Sequence, residues 1–436
     1  MTQAFLQEQF RARIQELPGT ETMRVARQKA MLSFNSSGYP TRKWEDWRYT
    51  DLKTISSAEY DPIPALPSAN TISHAKQQVD SLGLAKDAKS IVFIDGYLKN
   101  SFGPLPATHE IEIANLYETA EHSIRSSTSA FYEGMPLAAL NTAFSAGGIY
   151  LQVAADTIIT APLHLIFVAS NEPSITQQPR VVINLKPGSQ LQVIQHFIGS
   201  TPSISWTNAV TQITQEAGST LRLYRIQDES ETQLHTELLS SKLAADANLE
   251  LGYVDFGGSL VRNDARIDLA GPGASCSLFG LSIANKGQHI DNHIHINHIE
   301  PRTVSQQAFR SIIGDQGRGV FNGKVVVQKN AQKIDAQQSS DNLLLSERSE
   351  INTKPELEIY ADDVKCTHGA TVGQLDEEQL FYLRARGVDE TAARGLLTFA
   401  FANQIINRLQ IPELKERVMR EILQRLPGRQ QWDELL

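Results

Sequence analysis

Four segments share one pattern: Gly188-Ser189-Gln190-Leu191-Gln192-Val193, Gly218-Ser219-Thr220-Leu221-Arg222-Leu223, Asp246-Ala247-Asn248-Leu249-Glu250-Leu251 and Gly273-Ala274-Ser275-Cys276-Ser277-Leu278. Each opens on a small-residue turn and continues with residues alternating between two faces, the period of a strand. They recur at roughly 27 to 30 residues, a spacing typical of stacked repeats. Another alternating run precedes each turn, as in Val181-Val182-Ile183-Asn184-Leu185 and Ala265-Arg266-Ile267-Asp268-Leu269. Two strands per repeat with no helix between them leave each repeat unable to bury its own face, so the repeats must stack. The pattern predicts a β-helix or solenoid; a two-sheet sandwich of hairpins is the alternative it also permits.

Outward from this core the periodicity changes. The β-type runs begin near Ile91-Val92-Phe93-Ile94, and residues 1–90 ahead of them read as helical, with Phe5, Phe10, Ile14 and Leu17 at helical spacing before Pro18-Gly19. A second helix is expected over about Glu21 to Asn35. Tyr39 to Asp51 then concentrates Trp44, Trp47, Tyr39 and Tyr49 beside Pro40, which reads as a segment docked on the main core through its aromatics. The β core is assigned to 91–370 and a C-terminal helical region to 371–436. There Asp376 caps one helix and Asp389 opens a longer one carrying Leu396, Leu397, Phe399, Phe401, Ile405, Ile406 and Leu409. Pro412 starts a last helix with Leu414, Val418, Ile422 and Leu423 on one side, stopped by Pro427-Gly428.

Composition narrows the function. With 436 residues, 41% apolar and 20% charged, the chain has ordinary globular usage. A net charge of -9 lacks the clustered basic excess that grips phosphate backbones, so nucleic acid is excluded as a partner. No apolar run approaches the roughly 20 residues of a membrane span, and Met1 to Arg11 has no signal-peptide core, which gives a cytosolic expectation. Two cysteines, Cys276 and Cys366, cannot build a four-cysteine zinc or iron–sulfur site alone.

Three stretches invite chemistry. In Asp362-Asp363-Val364-Lys365-Cys366-Thr367-His368-Gly369, a strand places Cys366 and His368 on one face, half of a metal site that needs ligands from a second chain. Against this stands the plainer reading of a small buried cysteine beside a structural histidine. In the histidine-rich run from His289 to His298, alternation puts His289, His293 and His295 on one face with the isoleucines inward; a metal site or a self-satisfied polar ladder both fit. The glycine-rich Gly314 to Val325 is not a phosphate loop. Arg318 stands where Gly323-Lys324 requires an earlier glycine, and Val325 stands where a Ser or Thr must be. No nucleophile elbow and no His-Glu-x-x-His pair is present. A carbohydrate-active β-helix enzyme with paired carboxylates, or a stand-alone metal or cluster carrier, are the rival functions.

Several motifs in order carry a family resemblance: Pro40-Thr41 through Trp47-Arg48-Tyr49-Thr50, then Phe321-Asn322-Gly323-Lys324, Gln337 to Leu345, Pro355-Glu356-Leu357-Glu358-Ile359 and Asp363-Val364-Lys365-Cys366-Thr367-His368-Gly369. Together they resemble the SufB/SufD family, over most of the chain and most densely from about 310 to 410. The SufD branch fits better than SufB, since the chain is shorter, begins with helices, and lacks the N-terminal cysteine motif of many SufB chains. The resemblance implies a right-handed parallel β-helix with helical ends. It further implies pairing with SufB, a SufC ATPase bound to the C-terminal helices at about 376–426, with Leu396, Phe399 and Phe401 on their apolar stripes, and no turnover by this chain. A nascent iron–sulfur cluster then forms transiently at the SufB interface, with His368 contributing and Cys366 beside it. No cofactor is held permanently, flavin binding is left open, and unpaired β-helix edges make a homodimer plausible for the isolated chain.

Overall fold

The structure is a computed structural model that describes residues 1–83, 89–99, 109–118, 132–170, 174–199 and 204–426. Consecutive strands of the repeats lie in opposite sheets rather than side by side. Thr220–Glu229, for instance, pairs in parallel with Gln190–Gly199 and Asn248–Asp255, while the intervening Leu234–Leu243 pairs with Trp206–Gln215 and Leu260–Leu269. That topology rules out a sandwich of hairpins for the repeats. The molecule is a two-sheet parallel β-solenoid, each coil giving one strand to each sheet.

The small-residue turns are the corners of these coils. Asp156, Gly188, Gly218, Asp246, Gly273, Arg302 and Lys333 all take φ between 55° and 75°. Each backbone N–H donates to a carbonyl of the next coil, at Pro187, Ala217, Ala245, Pro272, Pro301, Gln332 and Asp363, over 2.6–3.2 Å. Glycine is needed at 188 because a Cβ there would collide with the stacked Asp156 carboxylate.

Alternation then fills the interior. Leu191, Leu221, Leu249 and Cys276 stack on one rung, Val193, Leu223, Leu251 and Leu278 on another, and all are buried. Phe93, Phe167 and Phe197 stack in a file with centroids 4.8 and 4.6 Å apart. Further along, the interior turns polar, where buried Arg225 is ion-paired to both Glu237 and Asp255.

Helices cover the outer faces. Gln3–Arg13 and Glu21–Ser37, with the wholly buried Pro136–Phe144, pack on the second sheet through Phe10, Phe34, Phe144 and Val210. The last of these lies within the range read as β core. On the first sheet, Ala69–Ser81 packs through Ala75 and Val79, and Glu390–Ile406 and Pro412–Arg425 through Ile405, Ile406, Leu414, Val418 and Ile422. The chain's own sheet thus covers those C-terminal stripes. Asp376 and Asp389 cap Glu377–Ala385 and Glu390–Ile406 as expected, accepting from Gln379 and Ala392 N–H. Pro427-Gly428 and the rest of 427–436 lie outside the described residues.

Candidate cluster half-site at the open end of the solenoid

The last coil consists of Glu350–Ile359 and Val364–Gly373, each paired with a strand on one side only. Nothing stacks beyond them among the described residues, so their inward side chains line an open mouth rather than a core. Register fixes which those are. Cys366 sits over buried Ala336 and His368 over buried Gln338, so both point into the mouth, as the two-residue spacing predicts. Their Cα atoms are roughly 6.6 Å apart along an extended strand.

The two donors differ. Cys366 is half-buried against a small cluster with Leu357, Val364 and Ala336. Burial, and then Asp335, push its thiol above the ordinary value, so by itself it stays protonated. His368 is exposed. Among the described residues no group of three or more His, Cys, Asp or Glu side chains is placed to hold a metal ion. One thiol and one imidazole are fewer donors than an iron–sulfur cluster needs. Cys276 is buried in the apolar interior, and burial drives its thiol up further.

The His289 to His298 run is partitioned by structure. His298 points inward and is bound by Thr303 at 2.7 Å and Ser305 at 2.9 Å. His289, His293 and His295 face outward, but His289 contacts Thr50 Oγ1 at 2.8 Å and His293 contacts Asp291 at 2.9 Å. Asp291, which sequence reading passed over, is the centre of this group. Burial favours its neutral form, yet Arg262 at 2.6 Å and His293 outweigh that and hold the carboxyl well below the usual range. Thr50 also donates to Asp291, and Arg262 stacks 4.1 Å from the Trp47 ring centroid and donates to the Asp46 carbonyl. His289, Asp291 and Arg262 therefore pin the aromatic segment, whose Trp47 is buried and whose Glu45 reaches Lys354 of the last coil at 2.9 Å.

The glycine-rich stretch lies mostly in strand Arg318–Val327, where Gly323 makes room for the Gln338 side chain inside the coil. In the C-terminal region Leu396 is half-buried, and Phe399 and Phe401 are half-buried against the chain's own first-sheet cluster, Phe401 under Arg310. Among the described residues of that region, the exposed aromatics are Phe381 and Tyr382, 74% and 56% exposed on helix Glu377–Ala385. Sequence reading missed them because the helix is short and mostly polar.

Fold and site together define a two-sheet parallel β-solenoid protein whose last coil, among the described residues, is paired on one side only and carries a thiol and an imidazole at its mouth. Two family models match: the SUF system iron–sulfur cluster assembly SufBD core domain over residues 167–401, and the SufBD N-terminal region over 4–80. The iron–sulfur cluster assembly protein SufD of Escherichia coli is 31% identical over 90% of both chains. Protein ABCI7, chloroplastic, of Arabidopsis thaliana is 27% identical over 89% of this chain and 82% of its own. SufB of Bacillus subtilis is 27% identical over 62% of this chain and 58% of its own. The chain belongs to the SufB/SufD family of iron–sulfur cluster assembly proteins and is a homologue of SufD.

Proposed function

We propose that this chain is a non-catalytic scaffold subunit of a cytosolic SUF assembly complex, pairing with a SufB-type chain through the open end of its solenoid. The observation that carries this is the position of Cys366 and His368 on the last, one-sided strand. A SufB-type chain shares the family core, so its own strands can extend the sheets, cover the mouth and add the missing ligands. Covering the mouth excludes water, and iron replaces the proton that burial keeps on Cys366. The nascent cluster is cargo, held in transit between the two chains. A SufC-type ATPase docks on the C-terminal helices, where Phe381 and Tyr382 offer the exposed contact. In isolation the same open edges accept a second copy of the chain.

The test is cluster reconstitution, followed by visible absorbance and iron content, on the chain alone and with SufB and SufC partners. Colour is expected only with the partners, and His368→Ala lowers the yield at least about tenfold while the complex still assembles. Iron loading by the chain alone, or a variant with wild-type yield, overturns the reading.

A further inference from the structure

A file of polar contacts links the C-terminal helix to the strand that carries the half-site. Arg310 stands on strand Val304–Ile313, facing outward beneath helix Glu390–Ile406. Its Nη1 donates to the Phe401 carbonyl at 2.9 Å, its Nη2 to Gln404 Oε1 at 2.5 Å, and its guanidinium lies 4.4 Å from the Phe401 ring centroid. Nη2 also reaches Asp341 Oδ2 at 3.3 Å on strand Ile334–Leu344. Asp341 Oδ1 in turn accepts from Thr371 Oγ1 at 2.8 Å, on the last strand. Register makes this possible, since Arg310, Asp341 and Thr371 occupy one rung of three adjacent strands. Next to it, Asn342 Nδ2 donates to the Thr371 carbonyl at 2.9 Å.

We infer that Arg310 is a positioning residue for the half-site: through Asp341 and Thr371 it transmits the placement of the C-terminal helix to the strand presenting Cys366 and His368. The last strand has one neighbour, so its order rests on a single ladder plus these tethers. Arg310 is largely covered by the helix, its side chain only 14% exposed, and a guanidinium in that position must keep its partners. A helix moved by a docking partner carries Phe401 and Gln404 away, and Arg310 then either drags Asp341 or releases it. Thr371 is freed or shifted in both cases. The purpose rests on the half-site reading above; the coupling itself does not.

Cys366 reports on the coupling in the full-length chain, because Cys276 is buried and only Cys366 is accessible to alkylation. The rate of its reaction with iodoacetamide is measured in wild type, Arg310→Gln, Thr371→Val, the double variant and Gln404→Ala, with amide exchange of 364–373 alongside. Each single change on the relay is expected to speed alkylation about fivefold, and the double variant no more than the faster single. Gln404→Ala, on the helix, raises the rate about twofold. Unchanged rates, or effects of Arg310→Gln and Thr371→Val that multiply, overturn the inference. If Arg310→Gln also speeds exchange in the interior strand Arg180–Leu185, Thr371→Val and Gln404→Ala decide. Failure of the half-site reading is seen separately, as an undiminished cluster yield in His368→Ala.

Discussion

The two ends of the solenoid are finished in opposite ways. At the first end Tyr97–Lys99 runs antiparallel to Lys89–Ile94, Ile111–Asn115 runs antiparallel to Gly148–Val153, and Ile111 and Ile113 join the buried core. A reversed strand presents the wrong hydrogen-bond pattern for another parallel coil, so growth stops there. At the last end both strands run parallel, and Val364–Gly373 leaves most of its residues exposed. Among the described residues, an edge that natural proteins ordinarily blunt is here left straight and uncovered. The difference accords with the proposed role of the open end as an assembly surface.

Four measurements test how deep that contrast runs. Phe197→Ala removes the end of the stacked aromatic file inside the closed half and is expected to cost about 4 kcal/mol in urea unfolding. Asp291→Ala leaves Arg262 with one buried partner fewer and costs about 3 kcal/mol. It also frees the aromatic segment, so tryptic cleavage at Arg42, Lys43 and Arg48 accelerates.

Acid should loosen the cover of the first end. His164 and His196 stack 5.6 Å apart on the outer face of the first sheet, and Arg417 of the last helix donates to the Leu82 carbonyl nearby. Burial, then Arg417, bring His164 from 6.5 down to about 3, and His196 is lowered as well. Between those values the unfolded chain binds a proton that the folded chain refuses. Stability is therefore complete above 6.5 and falls as pH drops toward 3, by about 2 kcal/mol near pH 5 for His164. His164→Leu flattens that slope; an unchanged slope refutes the assignment. Smallest of all, Val372→Ala at the open mouth changes the stability of the isolated chain by less than about 0.5 kcal/mol.

The stacking was legible because glycine and aspartate mark the corners at 188, 218, 246 and 273. The same corner at Arg302 and Lys333 was not, since neither side chain signals a left-handed turn and only the position in the stack imposes one. The common face of Cys366 and His368 followed from strand alternation, whereas the open mouth before them is a property of what fails to stack there. Thr50 and Asp291 lie 241 residues apart, beyond any local period. Helical spacing showed that Phe399 and Phe401 belong to an apolar stripe but not that the chain's own sheet takes part of it.

The corner ladder has a further consequence, which is one of counting. Its last rung, Lys333 N to the Asp363 carbonyl, fastens the backbone one residue before strand Val364–Gly373 begins. The phase of that strand is thus set by the stack behind it. Deleting one residue between 334 and 363 without moving the rung leaves the strand in place, but a deletion between the rung and Cys366 inverts it, sending the thiol and the imidazole to the outside and Lys365 and Thr367 to the mouth. The solenoid is in that sense a tape with seven index marks, read out at its free edge as a thiol and an imidazole that both face the mouth.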